Sequence, residues 1–292
     1  MNFVDLHLHT KHSDGILTPA EVVKTAAAHG VGVISITDHD NVRGLKEAAE
    51  AARAAAIKII AGVEVSTTWH AKPIHFMVYG FKPDDKDFLD FLDRQGEKRR
   101  SYFADKVEAV APGLAEEFLL ENKTFTGNSI TRDFLVRKGI FSDLETAGNA
   151  LATVNVADRY VSPEEAIAAA KNAGAVICLA HPLAPKISLK RIDPAPAAQK
   201  KLVAELKGFG LDGVECYQSS HAKEDVDCAL EIASDLRLLV SSGSDWHGPI
   251  EILGEGMKAY IPFYAPFPGA LQTPPAAVAG LLERLGMAVD NA

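Results

Sequence analysis

The chain has 292 residues, of which 47% are hydrophobic and 24% charged, and a formal net charge of −9. That length supports a large α/β domain with a full core, and the acidic balance disfavours non-specific binding to long duplex nucleic acid while leaving room for a local basic site. No apolar run approaches membrane-spanning length, and the start of the chain has no basic segment followed by an apolar stretch, so the expectation is a cytoplasmic protein without a secretory leader.

The first strand is expected over residues 3–7 and runs directly into Asp5-Leu6-His7-Leu8-His9, followed by the turn Ser13-Asp14-Gly15. Side chains alternate along a strand, so His7 and His9 share a face. Two imidazoles with an aspartate close by suit a borderline divalent metal. Thr18-Pro19 then caps a helix reaching about residue 30. A second strand is expected over 33–37, ending in Thr37-Asp38-His39-Asp40, and an alanine-rich helix over about 43–56. Strand three (59–65) contains Glu64, and strand four (74–80) contains His75. Residues 84–160 break this rhythm: they are helical in pattern, more charged and without a convincing strand, and are expected to form an insertion between strands four and five. Ser162-Pro163-Glu164-Glu165 opens a helix that ends near Gly174. Strand five (176–180) ends in His181, strand six (214–217) carries Glu215, and strand seven (238–242) ends in Ser244-Asp245-Trp246-His247. Pro194-Ala195-Pro196 and residues 264–277 look like connecting loops. The odd number of cysteines and the lack of C-x-x-C argue against disulfides, with Cys178 and Cys216 expected as small core residues.

The strands are β-branched and nearly continuous, as expected for buried parallel strands joined by right-handed helical crossovers. The metal-capable residues then fall at strand C-termini, which in a closed (β/α) barrel form one face. The insertion, placed after strand four, would lie at the mouth of that face.

These motifs together, Asp5-Leu6-His7-x-His9 with Ser13-Asp14-Gly15, Thr37-Asp38-His39, Gly62-x-Glu64, His75, Ala180-His181-Pro182 and Ser244-Asp245-x-His247, resemble those of the PHP (polymerase and histidinol phosphatase) family of phosphoesterases, in particular its TrpH-like branch. The resemblance implies a distorted (β/α)7 barrel, here residues 1–83 and 161–292, with 84–160 as a helical insertion forming a substrate lid. It also implies a centre of three divalent ions, Mn2+ first, with Zn2+ or Fe2+ as alternatives. His7, His9 and Asp245 would hold one ion, Glu64 would bridge to a second completed by His75 and His181, and Asp14, His39 and His247 would hold a third. Three such ions against three carboxylates and a hydroxide leave roughly two positive charges to meet a phosphate dianion. A metal-bound hydroxide would attack phosphorus in line.

The implied activity is phosphomonoester hydrolysis of a small phosphorylated nucleotide, such as a nucleoside 3′,5′-bisphosphate. Histidinol phosphate and short RNA 5′ ends are alternative substrates. An amidohydrolase acting on a C–N bond is a different class, since amidohydrolases share His-x-His after strand one, but they use a barrel lysine after strand four, where this chain has His75. A non-catalytic module is disfavoured by the filled ligand set. Asp245, His247 and Glu64 carry the catalytic expectation, with His221, just after strand six, as a candidate proton donor to the leaving group. Asp5, Asp38 and Asp40 flank ligands and could orient imidazoles, and Glu215 is not counted as a ligand. Acids balance bases across residues 86–140, yet local clusters stand out. Arg99, Arg100, Ser101, Tyr102, Lys123, Arg132 and Phe134 are candidates to contact substrate, with Arg99 and Arg100 placed to meet a second phosphate. Tyr102 or Phe134 could stack on a base.

Overall fold

The computed structural model describes residues 3–154, 160–185, 187–252 and 265–288. The expected positions at 155–159 of the insertion and at 264 of the last loop lie outside the described residues.

Among the described residues, seven strands form one sheet in sequence order: β1 (Phe3–Leu8), β2 (Val31–Ile36), β3 (Lys58–Trp69), β4 (Lys72–Tyr79), β5 (Val176–Leu179), β6 (Gly213–Gln218) and β7 (Leu239–Gly243). The last strand returns to the first. His9 N–H donates to Trp246 O (3.0 Å) and Asp245 N–H to His7 O (2.9 Å). Asp5, buried at this seam, accepts from Ser244 N–H (2.8 Å) through one carboxylate oxygen and from Gly269 N–H (2.7 Å) through the other. The sheet is therefore nearly closed into a barrel.

Helices pack outside it. Helix α1 (Pro19–Ala28) starts at Thr18 with a reciprocal capping box to Glu21, and α2 is Leu45–Ala55. Beyond the insertion come α7 (Pro163–Asn172), opened by the Ser162–Glu165 capping box, α8 (Pro196–Phe209) and α9 (Lys223–Asp235). The expected loop at Pro194-Ala195-Pro196 is in fact a helix start, with Pro196 in the first turn, where its missing N–H costs nothing. All three cysteines are free, with Cys178 and Cys216 buried.

The parallel expectation fails at one strand. β1–β2, β2–β3, β5–β6 and β6–β7 pair parallel, but β4 runs antiparallel to both β3 and β5. β3 is long and turns back through His70 and Ala71, both at positive φ (48° and 57°). That is the backbone of a two-residue hairpin with left-handed central positions. His75 therefore stands near the N-terminal end of its strand, and only the reversal brings it to the face where the other strands end.

The reversal also moves the insertion. β4 ends at the far side of the barrel, so α3 (Lys86–Val110) must travel back along it. With about 1.5 Å of rise per residue, α3 has the reach to do so: Gln95 Nε2 donates to Ser66 O (3.0 Å) and Arg99 meets Asp40. Helices α4 (Ala115–Glu121), α5 (Asn128–Arg137) and α6 (Leu144–Thr153) then pack on α3 around Phe103, Val107, Phe118, Phe134, Leu135 and Leu151. This is a hydrophobic cluster separate from that of the barrel.

Gly62 marks how tightly β3 passes β2. A Cβ there would lie 2.0 Å from Ser35 Oγ and 2.9 Å from Thr37 Cγ2. Gly62→Ala is expected to lower unfolding stability by about 1–3 kcal/mol. Gly96→Ala, within α3 where a Cβ meets nothing within 4 Å, should be neutral or stabilising by up to about 1 kcal/mol. Urea titrations of the two variants against the parent chain measure both; equal midpoints for the two would contradict this packing account.

Candidate metal centre

The mouth of the barrel gathers six imidazoles and three carboxylates: His7, His9, His39, His75, His181, His247, Asp14, Glu64 and Asp245. Glu64, on β3 and buried, is at the middle. Its Oε2 lies 3.3 Å from His7 Nε2, 3.3 Å from His9 Nε2 and 3.1 Å from His39 Nδ1. Its Oε1 lies 2.9 Å from both His75 Nδ1 and His181 Nε2. One carboxylate thus faces two groups of nitrogens with different oxygens, the arrangement needed to bridge two ions.

The first group is nearly a coordination polyhedron. His7 Nε2 and His9 Nε2 are 3.1 Å apart, and Asp245 Oδ1 lies 3.3 Å and 3.1 Å from them. Ligand atoms about 2.0–2.2 Å from an ion at tetrahedral angles stand about 3.3–3.6 Å apart, so the spacing fits a divalent ion with only slight expansion. On the other side of His9, Asp14 Oδ1 is 3.3 Å from His247 Nε2 and 3.5 Å from His9 Nδ1, while Asp14 Oδ2 is 3.6 Å from His39 Nε2. Asp14 Oδ1 and His39 Nδ1 are buried without a hydrogen-bond partner. Buried polar atoms are rarely left so, and a cation among them would satisfy both. His39 departs from the expected grouping: its donor atoms cluster with those of His9 and Glu64, while Asp14 and His247 cluster with His9, and His39 meets Asp14 only through Nε2 at 3.6 Å.

The second nitrogen of most imidazoles is anchored, which aims Nε2 inward. His7 Nδ1 bonds Glu215 (2.9 Å), His9 Nδ1 bonds Ser13 Oγ (3.2 Å), His181 Nδ1 bonds Ile187 O (2.9 Å) and His247 Nδ1 bonds Asp245 O (2.8 Å). Ser13 in turn donates to Asp38 (2.6 Å), which also accepts from Thr10 N–H and Oγ. Asp38 therefore acts on His9 through Ser13.

Protonation follows from burial set against charge. For His9, burial alone would lower the pKa, but Asp245, Glu64 and Asp14 override it and raise it to about 10. His7 is likewise held well above its ordinary value against burial, by Glu215, Asp245 and Glu64. Burial dominates at His75 and lowers it to about 4, despite Glu64 beside it. Burial would raise Glu64, Asp14 and Asp245, yet the surrounding imidazoles hold all three below the usual carboxylate range. A carboxylate array that draws protons onto histidines this strongly is one that a divalent ion would occupy. Asp14 and Asp245 keep 17% and 21% of their side chains exposed while His7 and His9 keep none, so the array opens to solvent on the aspartate side.

Three expected roles, those of His221, Phe134 and Arg99, do not survive the geometry. His221 Nδ1 bonds Cys216 O (3.1 Å) and its Nε2 accepts from Leu183 N–H (3.3 Å). Both ring nitrogens are spent on backbone, so it ties the segment after His181 to β6 and is not placed to donate a proton. Phe134 is fully buried against Phe118 inside the insertion, so its ring faces protein and has no room for a base. The insertion itself does reach the mouth, by way of the segment 122–127. Arg43 Nη2 donates to Thr124 O (2.8 Å), Arg100 Nη1 to Asn122 O and Lys123 O (3.0 and 3.2 Å), and the Phe125 ring lies parallel to His39 (5.7 Å, 6°). Arg99 is buried, and its fork is turned inward: Nε donates to Asp40 (2.8 Å), Nη1 to Thr126 O (3.4 Å) and Nη2 to Ser66 Oγ. Burial would lower its pKa, but Tyr160 and Asp40 reverse that and raise it. Ser101 is half-buried on α3, Tyr102 packs on Phe103 and Tyr160, Arg132 is half-buried on α5, and Lys123 is exposed. Sequence reasoning missed Phe125 and the Gln95–Ser66 contact, for which no local signal exists. Glu215 had one, being an acid within a strand whose neighbours are buried.

A barrel with this many imidazoles and carboxylates at one mouth has the donor set of a metal-dependent hydrolase. The family model described as PHP domain matches residues 5–124. The chain is 31% identical to a 3′,5′-nucleoside bisphosphate phosphatase of Chromobacterium violaceum over 87% of its own length and 88% of that protein. It is 30% identical to a 5′-3′ exoribonuclease of Haemophilus influenzae, over 84% of its length and 90% of that protein. A crystal structure described as a metal-dependent phosphoesterase from Bifidobacterium adolescentis superposes with a TM-score of 0.71 at 25% identity, covering 97% of this chain and 96% of that one. The chain belongs to the PHP family and is a metal-dependent phosphoesterase of that family. Among the described residues no helix is long and apolar enough to cross a membrane.

Glu64→Gln replaces one of the two carboxylate oxygens that would face bound ions. Ions bound per chain, counted by mass spectrometry after desalting, should fall by at least one, and phosphoester hydrolysis by more than about 100-fold. Arg99→Ala strands the buried Asp40 carboxylate and should destabilise the fold by about 3–5 kcal/mol. Arg99→Lys should recover less than half of that, because an ammonium cannot match three acceptors set for a planar fork. A melting temperature unchanged in Arg99→Ala would show that the pair carries no such weight.

Proposed function

We propose that the chain is a phosphomonoesterase acting on small phosphorylated nucleotides, with a nucleoside 3′,5′-bisphosphate as the preferred substrate, at a centre of three divalent ions of which Mn2+ is the favoured metal. Bound divalent ions would lower the pKa of a coordinated water to about 7 and supply positive charge for the phosphoryl oxygens. The rest falls to the chain. His7, His9 and Asp245 hold the first position, Glu64 with His75 and His181 the second, and Asp14, His39 and His247 the third. Asp14 and Asp245 flank the side open to solvent, with His247 between them, where an incoming phosphate would lie. Gln218 Nε2, 3.3 Å from Asp245 Oδ2, fixes the carboxylate so that Oδ1 stays turned toward the imidazoles.

The observation that supports a small substrate is the segment 122–127, clamped at the mouth by Arg43, Arg99 and Arg100 and laid against His39 through Phe125. A long duplex would collide with that roof, whereas a nucleotide or a single-stranded end can pass beneath it. Because the Arg99 fork is committed to Asp40, Ser66 and Thr126, the second phosphate falls to Arg100. Among the described residues only its Nη1 is hydrogen-bonded, to carbonyls of the roof. Lys123 and Arg132 are the supporting cations, and Tyr102 the supporting ring. Residues 84–160 act in this reading as the lid, and 1–83 with 161–292 as the barrel. The same opening would accept the 5′ end of a short RNA, a second reading favoured by the name of the Haemophilus influenzae relative.

A phosphate-release assay on Mn2+-loaded protein should rank a nucleoside 3′,5′-bisphosphate above the matching 5′-monophosphate, a 5′-phosphorylated RNA oligomer and histidinol phosphate. Arg100→Ala should lower kcat/KM for the bisphosphate by about 10- to 100-fold, the worth of a charge-assisted hydrogen bond, and leave the monophosphate within about twofold. A uniform loss on both substrates would remove Arg100 from the second-phosphate role. A best rate on histidinol phosphate would overturn the nucleotide reading.

A further inference from the structure

We propose that Glu215 is a positioning residue that couples two metal positions: one buried carboxylate sets the tautomer of His7 and pins the backbone of His181, so that both imidazoles turn Nε2 toward their ions. This inference rests on the metal-binding reading above.

Glu215 is on β6 and is 0% exposed. Its Oε1 lies 2.9 Å from His7 Nδ1, and its Oε2 accepts the backbone N–H of His181 at 2.7 Å. The two partners belong to different positions of the centre: His7 groups with His9 and Asp245, and His181 with Glu64 and His75. Space for the contact is made by Gly243 on β7, where a Cβ would lie 2.0 Å from His7 Cβ and 2.9 Å from Glu215 Oε1.

Each hydrogen bond has a consequence at the ions. The His181 N–H can only donate, so Oε2 accepts. If Oε1 also accepts, the proton of neutral His7 sits on Nδ1 and the lone pair on Nε2. That lone pair points at the space shared with His9 Nε2, Glu64 Oε2 and Asp245 Oδ1. His181 carries a backbone φ of +27°, unusual for a residue with a side chain, and such a conformation persists only when its surroundings hold it. The bond to Glu215 holds the amide, and Ile187 O holds Nδ1. A carboxylate supplies acceptors on both oxygens, whereas a glutamine amide supplies one acceptor and one donor group. In Glu215→Gln, the amide oxygen can take the His181 N–H, but the NH2 then faces His7 Nδ1 and drives its proton to Nε2, where the ion must bind. With the amide reversed, NH2 meets N–H at His181 and the strained backbone loses its partner.

The test compares metal-free wild type and Glu215→Gln. Each is titrated with Zn2+, with ions per chain counted after desalting and the metal-free melting temperature recorded. The expected result is a variant that folds with a melting temperature close to the wild type, retains the ion held by Asp14 and His247, and binds the other two at least tenfold more weakly. Equal stoichiometry and affinity in the two proteins would overturn the inference, as would loss of every ion together with a lowered melting temperature, which is plain structural damage. If the variant does not fold, nitrogen-15 NMR of the Zn2+-loaded wild type decides: His7 must show Nδ1–H with zinc on Nε2, and the opposite tautomer sinks the idea. Failure of the wild type itself to bind Zn2+ would instead remove the metal-binding reading on which this one rests.

Discussion

A single buried carboxylate organises this protein. Glu64 sits within hydrogen-bonding reach of five imidazoles that arrive from β1, from the end of β2, from β4 and from the end of β5. An ionised carboxylate in a protein interior is tolerated only when its charge is matched and its lone pairs are used. The barrel meets that demand by converging strands on it. The same convergence leaves nitrogen and oxygen atoms at separations that a divalent ion fits, so charge compensation in the folded chain and metal capture in the working enzyme draw on one arrangement.

The backbone bends to serve it. Asp40, His181 and Asp245 all adopt positive φ without being glycine, and each is fixed by bonds across the mouth. Asp40 N–H donates to Glu64 O, and the Asp40 side chain accepts from Ser66 N–H and Arg99. Asp245 N–H donates to His7 O. Left-handed backbone costs on the order of 1–3 kcal/mol per residue, and at these three positions it falls just beyond a strand end at the mouth. Reversing β4 is the larger adjustment. It delivers His75 from the start of a strand, and it obliges a 25-residue helix to carry the insertion back to the mouth. The insertion is consequently bound to the barrel by a buried ion pair and by a ring laid against His39.

Much of this was legible in the residues. All seven strands and the three expected helices lie close to their expected places, because Thr18-Pro19 and Ser162-Pro163 are local signals for two of the helices and the β-branched runs are nearly continuous. The nine metal-capable residues were legible for a similar reason: imidazole and carboxylate chemistry is carried by residue type and by position at a strand end. The direction of β4 was not. Its hairpin turns on His70-Ala71, which lacks the Asn-Gly or Asp-Gly signature of such turns, and a buried antiparallel strand has the same hydrophobic run as a buried parallel one. Arg99 and Phe134 were misplaced because a cationic cluster or an aromatic on a helix does not reveal which way its helix faces once it packs on another layer.

By itself the sequence determined the donor set, the barrel class and the family, since these depend on which atoms each residue carries, on the motifs at the strand ends and on the nearly continuous apolar run of each buried strand. Only the tertiary structure decided how those donors divide. It assigned the two oxygens of Glu64 to opposite groups, placed His39 between Asp14 and Glu64, turned the Arg99 fork inward and set Glu215 between His7 and His181. These are contacts between residues 11 to 208 positions apart in the chain, from Glu64 with His75 to His7 with Glu215. Spacing along a sequence holds no record of them, because they arise only when the sheet closes and low-dielectric burial forces every charged group to find its partner.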